Sequence, residues 1–257
     1  MTGVGRRWLF PGLLILRDTL VFDRWRWLAR RLPRTRGPAR LLDVGCAAGA
    51  FSMGAALRGY DVLGLEHDPF SVAKAGRRAA WLGIPHVRFE QADARRLGDR
   101  ADLRGAFDVV ICCETIEHIL DDSLFMRSLA GCLKPGGRLL LTTPFAGFRA
   151  ITRDDDAPPS VTEDGGHVRR GYEPADLERL CVQAGLAVTG FSGCSGVLSQ
   201  KATWGYRVAG RRLPMLGALA VMPLRPFPPL LDPLVTRMLA WPYYCLGLEA
   251  VRGGGGA

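Results

Sequence analysis

Hydrophobic and polar positions alternate in blocks along the middle of the chain. Short apolar runs that end in an acid or a glycine predict strands: "ARLLDVG" (39–45), "DVLGLEHD" (61–68), "HVRFEQAD" (86–93), "FDVVICCE" (107–114) and "RLLLTTP" (138–144). Between them, apolar residues recur at helical spacing in "AAGAFSMGAALRGY", in "PFSVAKAGRRAAWLG" with Pro69 at its start, and in "DDSLFMRSLAGCLKPGG", which Pro135 and the glycines close. Strand–helix alternation of this regularity predicts an α/β fold, a doubly wound and mostly parallel sheet with ligands at the carboxyl ends of the strands. If the chain turns helical straight after the fourth run, Glu114, Glu117 and His118 stand at i, i+3 and i+4 and share one face.

The flanks read differently. Residues 1–38 form a basic amphipathic arm, 39–196 the α/β domain, 197–240 an apolar, proline-broken insertion, 241–252 a final strand of the domain and 253–257 a flexible glycine tail. Within the second segment, "EPADLERLCVQAGL" predicts a helix and "LAVTGFSG" a strand, and "YCLGLEAVR" predicts the last strand. The prolines after residue 212 exclude one long helix. Trp204, Phe227, Trp241, Tyr243 and Tyr244 are expected in the core rather than on a stacking platform.

Charge sharpens this division. The net charge is +9, and residues 1–40 hold ten arginines against Asp18 and Asp23, so the remainder is nearly neutral. Arginines interleaved with Trp8, Phe10, Leu20, Trp25 and Trp27 could lie on an anionic membrane surface or pack over the domain. "RRWLFPGLLILR" also raises an export signal, but its apolar run is broken by Pro11 and Gly12 and ends at Arg17 without a small-residue cleavage site. No window approaches the ~20 apolar residues of a spanning helix. Seven cysteines, odd in number and without a C-x-x-C pair, point to buried reduced thiols and a cytoplasmic setting.

The strand ends carry the candidate chemistry. "LLDVGCAAG" places Asp43, Gly45 and Gly49 at the first strand-to-helix turn, where small residues let a ligand approach the backbone. Glu66 ends the second strand, where an acid can accept both hydroxyls of a ribose, and Asp93 follows the third. The glycines run G-x-x-x-G, which lacks the fingerprint of a pyrophosphate-binding dinucleotide site.

From Leu41 to about Pro144 these motifs, in this order, resemble the class I S-adenosylmethionine-dependent methyltransferases, in the branch that includes the ubiquinone-pathway O-methyltransferases. The resemblance implies a Rossmann-like, seven-stranded methyltransferase fold with a helical N-terminal arm and an apolar C-terminal insertion. It implies that Asp43, Gly45 and Gly49 line the methionine end of the cofactor, that Glu66 holds the ribose, that Asp93 and Ala94 flank the adenine, that Glu114 lies near the methionine end, and that Cys46 and His67 also bind the cofactor. At Ala47 the family usually has glycine, and a small adjustment of the loop is expected. "ETIEH" also matches an E-x-x-E-H motif that binds a divalent metal in the ubiquinone-pathway enzymes and in small-RNA 2'-O-methyltransferases. That makes Glu114, Glu117 and His118 candidate ligands for Mg, Mn or Zn, with His167 as a further candidate. In metal-free members His118 or His167, with Glu117, would instead serve the acceptor as base or orienter.

The implied reaction is methyl transfer to oxygen of a small or amphiphilic, lipid-like acceptor, under the polar segment 153–167 as a mobile loop. Peripheral membrane contact would involve the arm and residues 197–240. Nucleic acid is disfavoured because the arginines cluster at one end. The alternatives are a non-catalytic cofactor-binding accessory protein and a metal-dependent RNA 2'-O-methyltransferase.

Overall fold

The computed structural model describes residues 19–212 and 228–254. The expectations for the arginine-rich stretch before Thr19, for Phe227 and its neighbours, and for the last residues of the tail lie outside that range.

Seven strands form one sheet: β1 (Arg40–Val44), β2 (Asp61–Glu66), β3 (Val87–Gln91), β4 (Phe107–Cys113), β5 (Leu133–Pro144), β6 (Leu186–Cys194) and β7 (Cys245–Arg252), in the order β3-β2-β1-β4-β5-β7-β6. The first five pair in parallel, and β7 runs antiparallel between β5 and β6. The seven-stranded, mostly parallel sheet read from the sequence is the one observed. In β1, Leu41, Leu42 and Val44 are all fully buried, as a strand covered on both faces requires.

Helices α1 (Thr19–Arg31), α2 (Ala50–Ala56), α3 (Pro69–Leu82), α4 (Asp122–Cys132), α5 (Pro174–Gln183), α6 (Val197–Arg212) and α7 (Pro228–Met238) cover the sheet. Local chemistry sets their ends. Asp68 caps α3 by accepting from the backbone N–H of Phe70 and Ser71, and Gly83 closes it at φ 64. The helix expected to run to the Pro–Gly pair stops sooner, at Cys132. Leu133 already pairs with Phe107, and Gly105 N–H donates to the Gly131 carbonyl, so sheet pairing takes over from the helix.

The described part of the arm packs on the domain. Leu20, Trp27 and Leu28 of α1 are buried, each worth roughly 2 kcal/mol in apolar transfer. Trp27 Nε1 donates to Ser192 Oγ at 2.7 Å, and Arg31 pairs with Glu249 at 2.7 Å. The Trp27 ring lies so close over Gly247 that a Cβ there would sit 2.5 Å from it. In the insertion the described residues form α6 and α7, the latter with Pro233 inside it, and the prolines between the two helices lie outside the described residues. Asp232 of α7 accepts from Gly196 and Leu198 N–H at 2.8 and 2.7 Å, so one helix caps the other. Trp204, expected in the core, is half exposed because it lies on the outer side of α6, while Tyr244 is buried.

Candidate active site

Two chambers adjoin at the carboxyl ends of the strands. The first, of about 430 Å³, has the turn after β1 as its floor and includes Gly45, Cys46, Glu66, His67, Ala94 and Glu114 in its lining. Gly45 is at φ 76, and a Cβ on it would lie 2.2 Å from Thr115 Oγ1, so this position needs glycine twice over. Ala47 holds φ 45, the left-handed conformation that glycine would take without strain.

Glu66 is nearly buried and held by donors from two directions. Ala47 N–H donates to Oε2 at 2.9 Å, His67 N–H and Asp68 N–H donate to Oε1 at 2.9 and 3.2 Å, and His67 Nδ1 lies 2.8 Å from Oε1. With three donors on Oε1 and one on Oε2, the free acceptor site of this carboxylate is on Oε2. Asp43 and Gly49 stand behind the chamber wall. The Asp43 carboxyl is buried and receives Ser52 Oγ–H at 2.5 Å, and burial, opposed by Ser52 and reinforced by Glu66, lifts its pKa to about 7. Gly49 (φ 75) lets the first turn of α2 pass over Phe89. Asp93 lines the chamber, but Arg95 occupies its carboxylate, with Nη2 at 2.5 Å and Nε at 2.8 and 2.9 Å.

The single helical face expected for Glu114, Glu117 and His118 does not form. Glu114 adopts φ 53, its N–H donates to the Thr142 carbonyl, and only a one-turn 3-10 helix, Ile116–His118, follows before α4. Sheet bonding thus holds Glu114 on β5 while Glu117 turns inward. Glu114 Oε1 accepts from Thr142 Oγ1 at 3.1 Å, and Oε2 faces Cys245 Sγ at 3.6 Å and Arg24 Nη1 at 3.9 Å.

The second chamber, of about 550 Å³, shares Arg24 and Glu114 with the first and adds Glu117, His167, Phe148 and Tyr244. Glu117 is fully buried. Its Oε2 accepts from Thr143 Oγ1 at 3.2 Å, and its Oε1 has no partner among the described residues. Burial first, and then the charge of Glu114, holds its pKa well above the usual carboxylate range. His118 Nδ1 lies 2.9 Å from the Gly166 carbonyl, which makes it the N–H tautomer there and leaves Nε2 as the lone-pair nitrogen. His167 meets His118 edge to face at 4.7 Å, and burial first, then the neighbouring His118 imidazole, lowers its pKa. One ligand atom each from Glu117, His118 and His167 lies within 4.8 Å of the other two. Glu114 is not in that group.

The segment 153–167, expected as a loop over the pocket, lies over both chambers and is hydrogen-bonded to the surrounding elements. Asp155 accepts from Thr152 N–H at 2.8 Å, from Arg207 Nη1 at 3.0 Å and from Tyr244 O–H at 3.2 Å, and Val168 N–H donates to the Glu117 carbonyl. Arg24, Arg95, Asp155 and Glu163 escaped the sequence reading. Arg24 and Glu163 enter through distant segments, while Arg95 and Asp155 combine a local partner, Asp93 or Thr152, with a distant one, Glu163 or Arg207.

All seven cysteines are buried and free. Among the described residues no helix is long and apolar enough to cross a membrane.

The profile of a methyltransferase domain matches residues 17–190. A ubiquinone biosynthesis O-methyltransferase of Xanthomonas axonopodis pv. citri is 31% identical over 159 residues, which cover 60% of this chain and 65% of that protein. The protein of the same name from Marinobacter nauticus is 39% identical over 106 residues, 40% of this chain and 43% of that one. The chain thus spans less than two thirds of the length of these two curated relatives. Among solved structures, phosphoethanolamine N-methyltransferase 2 of Haemonchus contortus, in complex with S-adenosyl-L-methionine, superposes with a TM-score of 0.64 at 16% identity, covering 90% of this chain and 53% of that chain. At that identity the likeness concerns the fold.

Proposed function

This chain belongs to the methyltransferase-domain family, its domain is that of an S-adenosylmethionine-dependent methyltransferase, and we propose that the protein methylates a hydroxyl oxygen of a small or amphiphilic acceptor. The observation that carries the reading is the junction of the two chambers at Arg24 and Glu114, which gives a cofactor and an acceptor separate seats with one contact point.

The first chamber fits the cofactor: small residues leave the floor open, and a fixed acid stands at the end of β2. Glu66 would hold the ribose hydroxyls and Ala94 would face the adenine. Gly45 and Cys46 would line the methionine end, with Glu114 suited to its ammonium and Arg24 to its carboxylate. S-adenosylmethionine supplies a methyl group on a positive sulfur, so the chain has to align the acceptor oxygen and handle its proton. The neutral imidazole of His167, or Nε2 of His118, is suited to take that proton, and Phe148 and Tyr244 form an aromatic wall for a phenolic ring. For a lipid-like acceptor, exposed Trp204, Leu234 and Met238 on α6 and α7 offer the peripheral membrane contact. The free buried thiols suit a cytoplasmic setting.

A second reading rests on the unpartnered Glu117 Oε1. A divalent cation held by Glu117, His118 and His167 would satisfy that oxygen and favour its charged form, and two imidazoles with one carboxylate suit Zn or Mn. Such an ion would orient and acidify the acceptor hydroxyl.

Calorimetric titration of S-adenosylmethionine into chelator-treated protein, followed by methyl transfer to amphiphilic phenols with and without Mg, Mn or Zn, tests both readings. Cofactor binding with metal-independent turnover supports the first. A metal heat lost in Glu117→Ala supports the second. Absence of cofactor binding removes both.

A further inference from the structure

At the opposite edge of the sheet, where the parallel strands begin, lies a groove that the methyl-transfer reading does not use. It encloses about 520 Å³ between the segment before β4, the carboxyl-terminal end of α4 and the end of β7. Three arginines, Arg104, Arg127 and Arg252, line it, and its lining contains no carboxylate.

The acids nearest in sequence are committed elsewhere. Asp99 pairs with Arg96 at 3.0 Å, and Asp102 pairs with Arg100 at 2.7 Å, as does Glu90 at 3.1 Å. The groove arginines are left with unspent donors. The Arg127 side chain makes no hydrogen bond or ion pair among the described residues, and Arg104 gives one N–H to the Gly98 carbonyl at 3.2 Å. Arg252 uses Nη1 on the carbonyls of Gly131 and Leu133, which anchors its guanidinium and leaves its other nitrogens uncommitted. Three like charges converging on one concavity repel one another unless an anion sits between them. The walls also admit a close approach: a Cβ at Gly105 or Gly131 would meet nothing within 4 Å.

We propose that this groove binds a phosphate group, held by Arg104, Arg127 and Arg252, as part of a phosphate ester. Guanidinium forks match phosphate oxygens in pairs, and a dianion can engage all three arginines where a carboxylate would occupy one. The groove is larger than inorganic phosphate alone, so an esterified group on the phosphate has room. Two sources share this chemistry, a lipid headgroup and a soluble phosphate ester.

The test is titration of inorganic phosphate and of glycerol 3-phosphate into the full chain at low salt, alongside co-sedimentation with phosphatidic acid vesicles, whose headgroup is likewise a phosphate monoester. S-adenosylmethionine titration serves as the control for folding, because its chamber lies at the other end of the strands. The expected result is saturable binding that weakens with salt and falls roughly tenfold in Arg127→Ala and further in the Arg104→Ala/Arg127→Ala pair, with cofactor binding unchanged. Arg127→Lys should restore part of it. Arginine-dependent binding of the vesicles but not of the soluble esters assigns the phosphate to a lipid headgroup, and the reverse assigns it to a soluble ester. Binding that the variants leave intact, or no binding to any of the three probes, overturns the proposal.

Discussion

One carboxylate, Glu163, fastens the loop over the site to two different walls: Oε2 accepts from Arg95 Nη1 at 3.1 Å, and Oε1 accepts from Leu120 N–H at 2.6 Å. The same loop places Gly166 against His118 and His167 beside it. Holding the loop at Arg95 therefore also holds His118, in the lining of the first chamber, and His167, in that of the second, the two groups proposed to handle the acceptor's proton. Glu163→Ala should slow methyl transfer about three- to tenfold, near 1 kcal/mol of barrier, with a smaller effect on cofactor affinity. Single-turnover rates set beside calorimetry separate the two.

Glu66 should matter differently. Glu66→Ala removes the proposed seat of the ribose hydroxyls and the support of Ala47 N–H, and cofactor affinity should fall about 100-fold, the equivalent of two charge-assisted hydrogen bonds. Unchanged affinity would refute the ribose assignment.

The acid limb of the rate profile should report His167. Its folded pKa is lowered, so it sheds its proton below the usual histidine range, and turnover should already be at its plateau near neutral pH and decline only on acidification. His167→Ala should lower kcat by about 10²- to 10⁴-fold and abolish that limb, the range for loss of a general base. Retention of full turnover in both His118→Ala and His167→Ala would move the acceptor site elsewhere.

Asp23, on the buried side of α1, should make stability depend on pH. Burial raises its pKa from 3.8 to about 6, against the favourable effect of Ser199, and Asp232 adds to the rise. The folded state holds this proton more tightly than the unfolded chain does. Stability is therefore greatest below pH 3.8 as far as this group is concerned, falls as the pH rises to 6, and stays lower above it. Asp23→Asn should recover up to roughly 3 kcal/mol at pH 8 and little at pH 4, which thermal melts at the two pH values would show.

Ala47 offers a test in the stabilising direction. Ala47→Gly relieves its left-handed backbone, worth about 1 kcal/mol, and should raise the melting temperature by about 2–4 °C.

The sequence disclosed what is periodic and local. Leu41 to Val44, buried on both faces, could only be a central strand, and Gly45 and Glu66 stand at the strand ends that line the first chamber. It disclosed less where distant segments decide. "ETIEH" has helical spacing, yet the bond from Glu114 N–H to Thr142 breaks the face that spacing implies. Arg24 enters the site because Trp27 docks α1 over Gly247, a contact between residues at opposite ends of the chain. The Pro135–Gly136 pair reads as a helix stop, although pairing between Phe107 and Leu133 had already ended the helix.

The position of β7 bears on how the molecule is made. The strand that fills the gap between β5 and β6 is translated after both of them, so neither can acquire its final neighbour until Arg252 has left the ribosome. Until then the nascent chain presents two open strand edges that invite pairing with another chain. Interruptions of synthesis before Cys245 should yield aggregating products rather than a smaller working enzyme, and the final insertion, closing contacts far apart in sequence, is the natural slow step of folding.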